Sequence, residues 1–226
     1  MTARQLAFDL PARAAYRRAD FFTSPANAEA LAAMDGWQDW PGGKLLLIGP
    51  RGAGKTHLAH LWAEVTGARM LAGNHLAGAD LPELAAGGAV CIEDAELVAG
   101  VAQAETALFH LHNLLAGQGR LLITASAPPR DWGLRLPDLL SRMQAASIAQ
   151  LHAPDDALLS AVLIKLFADR QIAVPPNLIP YLVQRMDRSF AAAHDLVATL
   201  DAHALQRGRA VTRALAAELL DFAAPE

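Results

Sequence analysis

Residues 49–56 read Gly49-Pro50-Arg51-Gly52-Ala53-Gly54-Lys55-Thr56, which matches the pattern GxxxxGK[ST] in full. The segment follows the apolar run Lys44 to Ile48 and precedes a helical pattern over 55–67. Strand, glycine-rich turn and helix form the context that gives this motif its meaning. Backbone N–H groups of such a turn, with the positive end of the helix behind them, cradle phosphates. Lys55 is placed to reach a β and a γ phosphate, and Thr56 to hold Mg2+.

The flanking pattern extends this constraint to a fold. Short apolar runs at Lys44–Ile48, Arg69–Leu71, Ala89–Glu93, Arg120–Ala125 and Ser147–Leu151 alternate with helical stretches near 55–67, 80–86, 103–117 and 136–143. Runs that are apolar without alternation fit strands buried on both faces, hence an α/β domain with a five-stranded parallel sheet and helices on both sides. Ser24-Pro25 reads as the start of a short helix to about Asp35. After Pro154 the strand signal stops. Leu158, Leu159, Val162, Leu163, Leu166 and Phe167 recur at helical spacing within 155–170. Asn177, Ser189 and Thr212 then read as caps of three more helices, the second ending before Gly208 and the third running to Phe222. The expected organisation is an extended tail over 1–20, a nucleotide-binding α/β domain over 21–153 and a small all-helical lid over 154–226.

Composition excludes several classes. The chain has 226 residues with 53% hydrophobic, but 49 of them are alanine, which favours helix more than greasiness. The apolar stretch Leu84–Ile92 is far too short to cross a membrane, and no signal peptide is expected at the amino end. One cysteine excludes a disulfide framework, and Cys91 in mid-strand reads as a small core residue. Net charge is −4 and evenly divided: residues 1–153 carry 12 basic and 14 acidic groups, residues 154–226 carry 7 and 9. Neither part is the cationic body that DNA phosphate binding needs, so no direct DNA binding is expected.

Other chemistry-bearing residues cluster at strand ends. Val90-Cys91-Ile92-Glu93-Asp94 is a buried strand ending in two acids, one suited to Mg2+ and the other to an attacking water. Leu121 to Ser126 is a strand with a polar end, and Ser126 is suited to sensing a γ phosphate. Arg142, late in a short helix, is placed to face a neighbouring molecule's nucleotide as an arginine finger. His57, His60 and Glu64 share a helical spacing but have no evident third ligand, so packing or surface roles are expected. His110 and His112 lie two apart and point apart on a helix.

The P-loop, acidic strand end, polar strand, arginine helix and helical lid, in this order, resemble the AAA+ ATPase module. More narrowly they resemble the DnaA-related AAA+ proteins that regulate bacterial replication initiation. The likeness runs from about Asp20 to Phe222 and rests on Val90 to Asp94, Arg120 to Thr124 with Pro128-Pro129, Leu136 to Arg142, and Arg185-Met186-Asp187-Arg188. Gln5-Leu6-Ala7-Phe8-Asp9-Leu10 is similar to the bacterial clamp-binding motif. In an extended peptide Leu6, Phe8 and Leu10 can enter an apolar groove while Gln5 bonds its rim. DnaA continues into a DNA-binding domain after its lid, whereas this sequence stops at Glu226, so an initiator is not expected.

The resemblance implies bound ADP or ATP with Mg2+, and Mg2+ ligation by Thr56 and Glu93. It also implies catalytic roles for Glu93, Asp94 and Arg142, nucleotide contacts from Ser126 and Arg188, and a cytoplasmic, replisome-associated protein. The implied partners are DnaA and the sliding clamp (the polymerase beta subunit); no membrane is implied, and self-association stays open. The implied activity is stimulated hydrolysis of DnaA-bound ATP. Two positions depart from the family: Glu93 stands where Asp is usual, and Ala191 aligns with a lid arginine. Weak intrinsic hydrolysis is the expected consequence. A P-loop small-molecule kinase, an AAA+ helicase loader and a non-hydrolysing adaptor remain alternatives.

Overall fold

The computed structural model describes residues 22–222, with side chains to residue 220. Gln5, Leu6, Phe8 and Leu10 lie outside the described residues. Five strands, β1 (Lys44–Ile48), β2 (Arg69–Ala72), β3 (Ala89–Glu93), β4 (Arg120–Ala125) and β5 (Ser147–Gln150), form one sheet in the order β2-β3-β4-β1-β5. Every neighbouring pair is parallel, with Leu45 opposite both Leu122 and Ser147.

Consecutive leucines of β1 serve opposite faces, as the pleat requires. Leu46 and Ile48 join Val90, Ile92, Leu121 and Ile123 against α4 (Ala102–Leu114) and α5 (Pro137–Ala145). Leu45 and Leu47 join Cys91, Leu122 and Ala149 against α1 (Ala28–Asp35) and α2 (Lys55–Thr66). Leu46 and Leu47 have no exposed surface, and each such burial contributes about 1.5–3 kcal/mol. Cys91 belongs to this core, where burial pushes its thiol well above the usual range. A five-residue helix α3 (Leu81–Ala85) leads into β3.

The remaining helices, α6 (Asp156–Asp169), α7 (Leu178–Val183), α8 (Phe190–Arg207) and α9 (Arg213–Phe222), pack on a separate core that includes Leu159, Leu163, Phe167, Leu182, Val197 and Leu200. The side chains of Asp155 and Ser189 accept N–H bonds from Leu158 and Ala192 and so cap α6 and α8.

Two local expectations are met only in part. Ser24 caps as expected, since its Oγ accepts the Ala26 N–H, Asn27 Oδ1 accepts the Ser24 N–H at 2.8 Å in return, and the Ser24 carbonyl accepts the Ala28 N–H, but regular helix begins only at Ala28. Together these bonds make a capped turn that leads into α1. That turn is anchored when the Ala26 carbonyl accepts the His152 N–H just past β5, which sets Phe22 beside the carboxyl ends of the strands. Asn177 sits at the start of α7 but makes no capping bond.

Glu105 on α4 is buried, 2% exposed, yet it has three partners. Its carboxylate accepts N–H bonds from Gly100, Arg135 and Leu136, so the chain entering α5 hangs from α4.

Candidate functional site

In a parallel sheet all strands end on one side, and ligands gather at those ends. Here β1 runs into Gly49–Gly54, β3 into Asp94 and β4 into Ser126. Gly52 and Gly54 take φ of +77° and +99°, a region that disfavours side chains, so the turn that leads into the N-terminus of α2 needs glycine at both places.

Lys55, the first residue of α2, is 8% exposed. Its ammonium donates to the carbonyls of Gly49 at 2.8 Å and Pro50 at 3.2 Å. Burial lowers its pKa, and the charges of Asp94, Glu96 and Glu93 oppose that shift.

The helical part closes the site from the other side. The Phe190 N–H donates to the Gly52 carbonyl at 3.0 Å. A Cβ on Gly52 would lie 2.4 Å from Ser189 Cβ, and one on Gly54 would lie 3.0 Å from the Phe190 ring. Glycine is needed here for conformation and for close approach alike.

Between the two parts lies a cleft of about 960 Å3. Its polar end is made by Arg51, Gly52, Gly54, Lys55 and Thr56, and Phe22, Leu158, Val162 and Leu166 give it an apolar end. That division suits a ligand with a phosphate chain and a flat apolar group.

Strand-end residues are placed as follows. Asp94 lines the cleft, held at φ +47° with its N–H donating to Thr124 Oγ1 at 3.1 Å. Glu93 is half-buried behind that lining, and its Oε1 is buried without a hydrogen-bond partner. Ser126 lines the cleft but is engaged by a residue outside the sequence motifs. Glu96 Oε1 accepts both its N–H, at 2.9 Å, and its hydroxyl. Glu96 itself lines the cleft, and its Oε2 is buried and unpartnered. The only sequence trace of it was an acid three residues past Glu93.

On the lid side Ala191 lines the cleft, and so does His194 one turn along α8. Burial and the Arg170 charge lower the His194 pKa. Arg188 is not in the lining; its guanidinium pairs with Asp156 at 2.6 Å, with both side chains more than half exposed. His57 lines the cleft from α2. Among the described residues no group of three His, Cys, Asp or Glu side chains has metal-binding geometry. Of the hard oxygens that Mg2+ uses together with phosphate, those of Thr56 and Asp94 line the cleft, and the orphaned Glu93 Oε1 lies behind that lining.

Arg142 lies elsewhere. It sits in the last turn of α5, just before β5 begins, at the opposite end of the sheet from the P-loop. Its guanidinium lies 4.8 Å from the Phe109 ring centroid, and Nη1 is 3.4 Å from His112 Nδ1. Burial first, then the charges of Lys44 and Arg142, push the His112 pKa down to about 4, so the ring is neutral at pH 7 and free to accept.

No family model matches the chain. Among solved structures it is similar to domain III of the replication initiation protein DnaA from Thermotoga maritima, with a TM-score of 0.76 and 20% identity over 91% of this chain and 95% of that one. AMPPCP-bound DnaA from Aquifex aeolicus superposes with a TM-score of 0.66 and 16% identity, over 80% of this chain and 63% of that one. The Holliday junction branch migration motor RuvB of Thermotoga maritima gives a TM-score of 0.63 at 16% identity, over 86% of this chain and 65% of that one. At these identities the likeness is one of fold, and together with the sheet order and the helices beyond it, it establishes that this chain has the AAA+ fold of DnaA domain III.

Proposed function

We propose that this chain binds an adenine nucleotide with Mg2+ and acts as a regulator of the Hda type, promoting hydrolysis of ATP held by DnaA and thereby limiting replication initiation. The observation that carries the reading is the separation of the P-loop from Arg142. A cation at the far end of the sheet cannot serve its own cleft but is exposed for a neighbour's. The DnaA structure that carries AMPPCP supports the nucleotide assignment.

In this reading the N–H groups of 52–56 and Lys55 hold the phosphates, Thr56 and Glu93 hold the cation, and Asp94 orients water. Mg2+ held there would supply neutralisation of the phosphate charge. Glu93 reaches one methylene further than the aspartate usual at this position, and Ala191 offers no charge, so intrinsic turnover is slow and the nucleotide acts as a conformational switch. Arg142 leaves Phe109 and His112 to meet the transferring phosphoryl group on DnaA. The Gln5–Leu10 peptide tethers the protein to the sliding clamp.

The test mixes the purified chain with ATP-loaded DnaA and DNA-loaded clamp and follows ADP formation. The reading predicts hydrolysis that depends on the chain, with loss on deleting residues 1–10 or on Gln5→Ala/Phe8→Ala. Failure to accelerate hydrolysis, or failure to bind the clamp, removes it.

A further inference from the structure

Glu96 belongs to none of the motifs that mark the site, yet it reaches into the cleft. Its Oε1 takes both donors of Ser126, the residue at the end of β4 that the motif pattern assigns to sensing the last phosphate. Its other oxygen is buried and has no hydrogen-bond partner. The Lys55 ammonium, the group that reaches the outer phosphates in such loops, lies within the electrostatic influence of Glu96 as well as of Asp94 and Glu93. The outer end of a phosphate chain held by Lys55 therefore enters a region where a third carboxylate already shares the lysine's charge and occupies the serine's donors.

Resting on the reading of the cleft as a nucleotide site, we propose that Glu96 is its specificity-determining residue, discriminating against a nucleoside triphosphate in favour of a diphosphate. A diphosphate leaves the pair of Glu96 and Ser126 undisturbed. A third phosphate adds negative charge beside a partly buried carboxylate, where water screens least, and must displace that carboxylate to win the Ser126 donors. The inner phosphates rest on backbone N–H groups of the loop and on α2, which Glu96 does not touch, so the discrimination falls on the outer phosphate alone.

The experiment measures dissociation constants of ADP and ATP for the full chain by calorimetry, with Mg2+ and again with EDTA. Glu96→Gln keeps an oxygen for the Ser126 donors and removes the charge. The expected result is tighter ATP binding by about tenfold, with ADP changed less than twofold and the effect shrinking at 0.5 M salt. Ser126→Ala, which leaves the charge in place, is expected to give no gain for ATP.

Three outcomes overturn the proposal: an unchanged ratio in Glu96→Gln, equal weakening of both nucleotides, or weaker ATP binding confined to the Mg2+ series, which would make Glu96 a support for the cation. A gain for ATP in Ser126→Ala equal to that in Glu96→Gln overturns it too, since the hydrogen bond and not the charge would then decide. If the unaltered chain binds neither nucleotide, the nucleotide-site reading falls, and this proposal with it; binding with an unchanged ratio removes this proposal only.

Discussion

The two ends of the sheet solve opposite electrostatic problems. At the carboxyl ends of the strands, one buried lysine at the polar end of the cleft feels the charges of Glu93, Asp94 and Glu96. At the other end burial, and then the Arg142 charge, lower the Lys44 pKa, and burial together with the charges of Lys44 and Arg142 keeps the His112 ring neutral. In the proposed reading the first end takes in an anion with its counter-cation. In the same reading the second offers a cation, Arg142, which rests on the Phe109 ring and beside a neutral His112 nitrogen.

The largest effect tests that division directly. Arg142→Ala is expected to lower stimulated ATP hydrolysis on DnaA by about 1,000-fold while leaving the chain's own nucleotide affinity within twofold. Lys55→Ala is expected to do the reverse to binding, weakening it by about 100-fold in calorimetry with the circular dichroism unchanged. If Arg142→Ala weakens the chain's own binding as strongly as Lys55→Ala does, the two ends are not separate.

Next in size is the contact that lets the helical part close on the cleft. Gly52→Ala combines an unfavourable φ with a Cβ set 2.4 Å from Ser189 Cβ. Thermal unfolding should show a loss of about 2–4 kcal/mol, and nucleotide affinity should fall with it. Unchanged stability would mean that α8 does not rest on the loop in solution.

His112 sharpens the other end. Its folded pKa of about 4 lies below the ordinary 6.5, so the unfolded chain binds the extra proton between those values. Stability contributed by the neutral ring is complete above pH 6.5 and is lost as pH falls toward 4, by about 1–3 kcal/mol. His112→Asn should flatten that slope in denaturant titrations, and an unaltered slope would place the titration elsewhere. The smallest effect is expected for Arg188→Ala, which breaks an exposed pair with Asp156. Less than about 0.5 kcal/mol and no change in nucleotide affinity should follow; a clear loss of affinity would restore Arg188 to the site.

Legibility in the sequence followed burial. The inner strands β1, β3 and β4 are covered on both faces, so Leu45 to Ile48 and Leu121 to Ile123 appear as unbroken apolar runs with sharp ends, whereas the edge strands β2 and β5 are half exposed. The P-loop was legible because its backbone demands glycine at fixed places. What escaped were residues whose role comes from side-chain reach across the fold. Glu96 meets Ser126 from thirty positions away, and no local pattern records that distance. Asn27 completes the Ser24 cap by a side-chain bond back to the Ser24 N–H, a partner that the sequence reading did not include. Ala191 marks the place of a lid arginine in the sequence, but the pitch of α8 puts His194 on the same cleft.

Glu105 has a consequence for how a signal could travel. Through it α4 holds the segment entering α5, and one and two turns further on Phe109 and His112 of the same helix hold the guanidinium near the exit of α5. Both ends of α5 are thus referenced to α4 as a carriage is to its rail. The aim of Arg142 is set in the frame of that one helix, and a slide of α4 along the sheet would re-aim the arginine without any change in its own rotamer.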